Sequence, residues 1–180
     1  MKTVSLSNAY RIINHNPLLL VTSSDGIKTS VLPVAWYMPV SKDPFEIAMC
    51  LSLSHFTTKL ILEYREAVLN IAYHTQIDLI MKCGKSHGNQ INKIIEFDIP
   101  VAPVDNFKSP YITSCAGYLA AKLLDPDLAQ KEEIFKFKII ETKVEETIFT
   151  DRWLIGENTK AKFLHHLGGG YFVSDGNLLV

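Results

Sequence analysis

The sequence predicts a mainly β protein, an antiparallel β-barrel with peripheral helices. Three observations carry the prediction. Many short segments alternate apolar and polar residues at a period of two. Few stretches hold a helical period for long. The stretch Thr29-Ser-Val-Leu-Pro-Val-Ala-Trp-Tyr-Met-Pro39 is apolar on both faces, so neither side can face bulk water. One face is expected to fill a barrel interior and the other to pack on a helix, a second subunit or a flat ligand.

The elements follow in order. Leu6 to Asn14 can form a short helix, with Leu6, Tyr10 and Ile13 on one side and Ser5 or Ser7 as a cap. Leu18–Ser23 reads as a strand, Asp25-Gly26 as a hairpin turn that tolerates positive φ, and Lys28–Pro39 as the returning strand. Pro44–Ser54 adds a third strand, a helix runs from Thr57 to about Arg65, and Ala67–Tyr73 is a fourth strand. From Gln76 to Lys108 the pattern is irregular, with short helices expected at Ile77–Lys82 and Gln90–Ile95 around Gly84-Lys-Ser-His-Gly88. Strands resume at Ser114–Leu124, turn at Asp125-Pro-Asp127, and continue as Ile134–Glu141 and Val144–Phe149. Gly168-Gly-Gly170 precedes a last strand, Tyr171–Ser174. With no internal repeat, low-complexity tract or linker, residues 1–180 are expected to form a single domain.

Bulk properties narrow the function classes. The chain has 180 residues and a net charge of −1, without the basic field that a nucleic-acid backbone requires. Its longest apolar runs, such as Pro17-Leu-Leu-Leu-Val21, fall far short of the roughly 20 residues needed to cross a bilayer. Met1-Lys2-Thr3 leads into alternating polar residues rather than an apolar signal core, so a cytoplasmic protein is expected. Cys50, Cys83 and Cys115 are widely spaced, as expected of reduced, individually packed thiols rather than a disulfide frame or metal knuckle.

The most informative stretch is Ile47-Ala-Met-Cys-Leu-Ser-Leu-Ser-His-Phe-Thr-Thr-Lys-Leu-Ile61, where the two-residue period gives way to a helical one. Phe45, Ile47, Met49, Leu51 and Leu53 share one strand face, while Leu60, Ile61 and Tyr64 share one helix side. Ser54, His55, Thr57 and Thr58 therefore surround the first turn of a helix. Its N–H groups lack internal partners and its dipole favours negative charge, so a phosphate can be held with few cations. The same hydroxyls would also serve as plain caps. In the neighbouring strand, Pro33 donates no ladder hydrogen bond, which implies an edge, a bulge, or a stretch whose backbone faces something other than another strand. A planar heteroaromatic ligand would suit exposed backbone there, with Trp36 over its face. A covered edge strand with a structural Trp is the alternative.

Ser30-Val-Leu-Pro-Val-Ala-Trp-Tyr-Met-Pro-Val-Ser-Lys-Asp-Pro44, Leu51–Ile61, Gly88-Asn-Gln-Ile-Asn-Lys-Ile94 and Gly169-Gly-Tyr-Phe172 resemble, in order and spacing, the flavin reductase-like proteins with an FMN-binding split barrel, flavoredoxin among them. The resemblance spans about Leu18 to Tyr171. It implies an antiparallel split barrel, a homodimer, and one FMN near each subunit interface. By position it implies that Ser30 stands where the family usually has Asn beside the flavin. Trp36 matches a family Trp, Thr57 a phosphate-binding Thr, Lys93 a Lys near the cofactor and Tyr171 a closing aromatic. Val31, Leu32, Pro33, Val34 and Ala35 would line the ring, with Ser52, Ser54 and His55 near the phosphate. Two departures stand out. Ser52 and Leu53 replace basic residues that often precede the family's Thr, and Glu132 and Glu133 replace a His that some relatives place before the strand beginning at Ile134.

The implied activity is electron transfer from NAD(P)H, or from a redox partner, through bound flavin. Hydride chemistry belongs to the cofactor, so no catalytic side chain is nominated. An FMN-carrying electron-transfer protein without NAD(P)H activity and a cofactor-free dimeric binding module are the alternatives. Competing motifs fail. Gly84-Lys85-Ser86 lacks the first Gly of a P-loop, because Leu79 stands there. His165 and His166 are consecutive and would point apart in a strand, and the other histidines are scattered, so no metal site is expected. Neither a nucleophile elbow nor a reactive context for Cys115 is present.

Overall fold

The computed structural model describes residues 1–176. In chain order the elements are β1 (Lys2–Thr3), α1 (Tyr10–Ile13), β2 (Leu19–Ser24), β3 (Thr29–Val34), β4 (Tyr37–Lys42), β5 (Phe45–Cys50), α2 (Phe56–Tyr64) and β6 (Glu66–Ile71). They continue with α3 (Ile77–Lys85), α4 (Lys93–Glu96), β7 (Val101–Ala102), β8 (Tyr111–Ile112), β9 (Gly117–Leu123) and α5 (Pro126–Glu132). The series closes with β10 (Ile134–Val144), β11 (Leu164–Gly168) and β12 (Tyr171–Ser174).

Seven strands form one antiparallel sheet in the order β3-β2-β6-β9-β10-β5-β4, and β1 pairs with β10. The sheet curls around a core that takes residues from every strand of the path, among them Leu19, Leu32, Tyr37, Ile47, Leu69, Leu119 and Phe137. Alternation decides which side chains enter it: Phe45, Ile47 and Met49 of β5 are buried, while Glu46, Ala48 and Cys50 point the other way. β2 is buried on both faces. Its Leu19 and Val21 enter the barrel, whereas Leu20 joins Val31, Ile80 and Cys83 in a second core against α3. The two-faced apolarity of the β3 region thus has its cause, since Leu32 and Val34 fill the barrel while Val31 lies under the helices.

β3 is the end strand of the path, as Pro33 requires. The Val31 carbonyl faces away from β2, because Lys93 Nζ donates to it at 2.9 Å. By alternation, Pro33 directs its missing N–H to that same unpaired side.

Several expectations are corrected. Lys28–Pro39 is not one strand: β3 pairs with β2 and β4 with β5, so the chain must break at Ala35-Trp36 to pass from one end of the sheet to the other. The Asp125-Pro-Asp127 turn opens a helix, α5, whose cap is Asp125 accepting from the Leu128 N–H at 2.9 Å with Pro126 in the first turn. Ile134–Glu141 and Val144–Phe149 are not two strands, because β10 runs unbroken to Val144 through an irregularity at Ile139/Glu141 and a 3-10 turn follows at Glu146–Ile148. β11 was not expected and pairs with β12 as a hairpin. Cys83 and Cys115 are buried free thiols, but Cys50 is exposed because the pleat of β5 turns it outward.

Candidate functional site

The break at Ala35-Trp36 and the end of β5 face each other, and the Cys50 N–H donates to the Trp36 carbonyl at 3.0 Å. Between them lies a cleft of about 190 Å³. Leu32, Pro33, Val34, Ala35 and Trp36 form one wall, Cys50, Leu51, Ser52 and His55 the other, and His166 stands at the rim. A larger, mostly apolar chamber of about 540 Å³ adjoins it across Pro33, Ala35 and His166. Leu18, Ile80, Met81, Lys85, Gly169, Gly170 and Phe172 are among its remaining walls.

The start of α2 borders the first cleft. His55 occupies the cap position but makes no side-chain capping bond, so the first-turn N–H groups are left for another acceptor. The Ser52 and Ser54 hydroxyls bond to each other at 3.0 Å. Burial holds the His55 ring below its ordinary pKa, the neighbouring Lys93 and His87 lower it further, and Glu133 opposes them. Thr58 Oγ1, in the same first turn, is buried without a partner.

The candidate residues divide into those that touch the cleft and those that build it. Leu32 through Trp36, Ser52 and His55 line it. The Thr57 hydroxyl turns inward and shares a 2.8 Å hydrogen bond with that of Ser30, both groups being buried. The Val31 side chain is buried, and its carbonyl takes Lys93. Lys93 is only 3% exposed and also donates to the Cys83 carbonyl at 2.6 Å. Desolvation lowers its pKa, offset in part by Cys83. Trp36 is 74% exposed and Tyr171 76%, and Tyr171 lines neither chamber.

Three further residues position the site in ways the sequence did not assign to them. Glu133 clamps the segment that carries Ser52, between β5 and α2: its carbonyl accepts the Leu51 N–H at 3.0 Å and its carboxylate the Leu53 N–H at 2.7 Å. Gly88 presses on the Ser30–Thr57 pair, where a Cβ would stand 2.4 Å from Ser30 Oγ. His166, tilted against Phe172, borders both chambers.

Comparison with known proteins places this geometry among relatives. The family model for the flavin reductase like domain matches residues 12–164. The uncharacterized protein YddH of Escherichia coli is 28% identical over 178 residues, covering 96% of this chain and 94% of YddH. An FMN-binding domain of a flavin reductases-like enzyme from Shewanella baltica superposes with a TM-score of 0.93 at 22% identity, covering 99% of this chain and 96% of that one. Flavoredoxin of Desulfovibrio vulgaris superposes with a TM-score of 0.80 at 20% identity, covering 92% and 89%.

Proposed function

On the premise that the chain belongs to the flavin reductase-like family, to which its match over residues 12–164 assigns it, we propose that it is an FMN-binding oxidoreductase that passes electrons from NAD(P)H through the bound flavin. The observation that carries the reading is the uncapped start of α2 beside a cleft walled by the edge-strand backbone of Pro33 to Trp36.

The residues present fit the cofactor. The first-turn amides of α2, which no side chain caps, would hold the phosphate together with Ser52, Ser54 and His55. Val34, Ala35 and Trp36 would lie along the ring system, where Pro33 leaves no competing N–H. Bound FMN supplies the hydride and electron transfer itself. What the chain contributes is placement, a positive field from Lys93 and exclusion of water by apolar walls. The adjoining 540 Å³ chamber is of a size to admit a small donor or acceptor beside the ring.

A homodimer completes the site in this reading. Trp36 at 74%, Met38 at 59% and Ile134 at 42% exposure form an apolar outer face around Ala48 and Cys50, and a second copy covering it would also roof the cleft.

The absorbance spectrum of the purified protein, with FMN added if colourless, tests the proposal. A flavin spectrum that bleaches on anaerobic NADH or NADPH is expected. Bound flavin that neither nucleotide reduces would make the chain an electron carrier served by a partner protein. Failure to take up FMN would refute the reading altogether.

A further inference from the structure

At the base of the β11–β12 hairpin, His15, His165 and Asp175 converge, and one donor atom from each lies within 4.8 Å of the other two. We propose that these three side chains form a binding site for a divalent transition metal of the zinc class, with a fourth position left to water.

Hydrogen-bond accounting leads there. His165 Nδ1 lies 3.2 Å from the Asn16 carbonyl, which can only accept, so this nitrogen carries the proton. In the neutral ring Nε2 is then a lone pair, and it faces Asp175 Oδ1 at 2.7 Å. Two lone pairs at that distance repel unless a cation lies between them. A proton there would satisfy the pair, but it leaves His15 Nε2, a buried nitrogen with no partner, unexplained. A metal ion uses all three donors.

The supports expected around such a site are in place. The Asn16 carbonyl fixes the His165 tautomer, and the Phe163 N–H donates to Asp175 Oδ2 at 2.8 Å, turning Oδ1 toward the cluster. Two imidazoles and a carboxylate are the ligand chemistry of zinc sites that keep an open position. With metal–ligand bonds of about 2.1 Å, tetrahedral donors stand about 3.4 Å apart. Filling the site would widen the His165–Asp175 contact and draw His15 inward. The ion would thereby tie the hairpin that bears His166, Gly169 and Phe172, walls of the large chamber, to the loop before β2. The site depends on none of the residues assigned to FMN.

The test is calorimetric titration of the chelator-treated full chain with Zn²⁺ alone, with cobalt substitution as a second readout. One ion per chain is expected, and Co²⁺ should give the intense visible bands of a four-coordinate centre. His15→Gln should weaken Zn²⁺ at least about 10-fold, as should Asp175→Asn, while His74→Gln, outside the cluster, should leave it unchanged. Should Asp175→Asn not fold, His15→Gln decides alone, since its nitrogen makes no hydrogen bond to lose. No stoichiometric Zn²⁺ binding, or equal binding by wild type and His15→Gln, would show a plain His165–Asp175 ion pair and overturn the proposal.

Discussion

Gly88→Ala is the sharpest probe of how the site is held. An added Cβ would stand 2.4 Å from Ser30 Oγ, 3.1 Å from Phe56 Cδ1 and 3.4 Å from Ser30 Cβ. The first contact is about 1 Å too short, so Ser30 must rotate and give up its 2.8 Å bond to Thr57. Thr57 is 2% exposed, and an unpaired hydroxyl there costs about 1–3 kcal/mol. The lost freedom of the unfolded chain returns about 0.4–1 kcal/mol. The net loss is at most about 2.6 kcal/mol, with each kcal/mol lowering Tm by roughly 2–4 °C for a chain of this size. Urea unfolding of a double-mutant cycle isolates the cause. In a Ser30→Ala background the clashing oxygen is gone, and Gly88→Ala should cost less than about 0.5 kcal/mol, the scatter of additive pairs. Equal costs in both backgrounds would show that the Ser30–Thr57 bond is not what Gly88 protects.

Other outcomes follow from the same structure. Lys93→Met removes the donor to the Val31 and Cys83 carbonyls and should cost about 2–4 kcal/mol in denaturant unfolding. Arg65 and Glu133 both end helices at left-handed φ, 60° and 56°. Arg65→Gly should stabilise by about 0.5–1 kcal/mol. Glu133→Gly should instead destabilise in the same melt, because it also loses the carboxylate bond to the Leu53 N–H. The Thr147 hydroxyl and then the Tyr73 hydroxyl hold Glu145 below its ordinary pKa, against burial. Its stabilising contribution is thus present above about pH 4.5 and is lost as pH falls through the lowered value. Tyr73→Phe should raise that pKa in a carboxyl ¹³C titration and shift the acid loss of stability upward.

The parts of the site that were legible in the sequence are those written in local period. The change from alternation at Phe45–Met49 to helical spacing at Leu60–Ile61 marked the start of α2, and of the edge, bulge or otherwise-facing stretch that Pro33 implied, the fold takes the edge. The break at Trp36 was not legible, because Val34, Ala35, Trp36 and Tyr37 are all strand-compatible and only the opposite sheet positions of β3 and β4 force the chain to turn. Likewise the hydrogen bond between Ser30 and Thr57 was not legible, because the fold joins hydroxyls 27 residues apart. Glu133, Gly88 and the His15–His165–Asp175 cluster depend wholly on such distant contacts. His165 and His166 do point apart, as adjacent strand residues must. It is the return of β12 that brings Asp175 to His165, and the loop before β2 that supplies His15.

The central claim is that the start of α2 holds the phosphate of FMN. Titrating the protein with FMN and with riboflavin, which lacks only that phosphate, tests it directly through quenching of flavin fluorescence. Charge-assisted hydrogen bonds from free amides should make FMN roughly 10- to 100-fold the tighter ligand. Equal affinity for the two flavins would contradict the account.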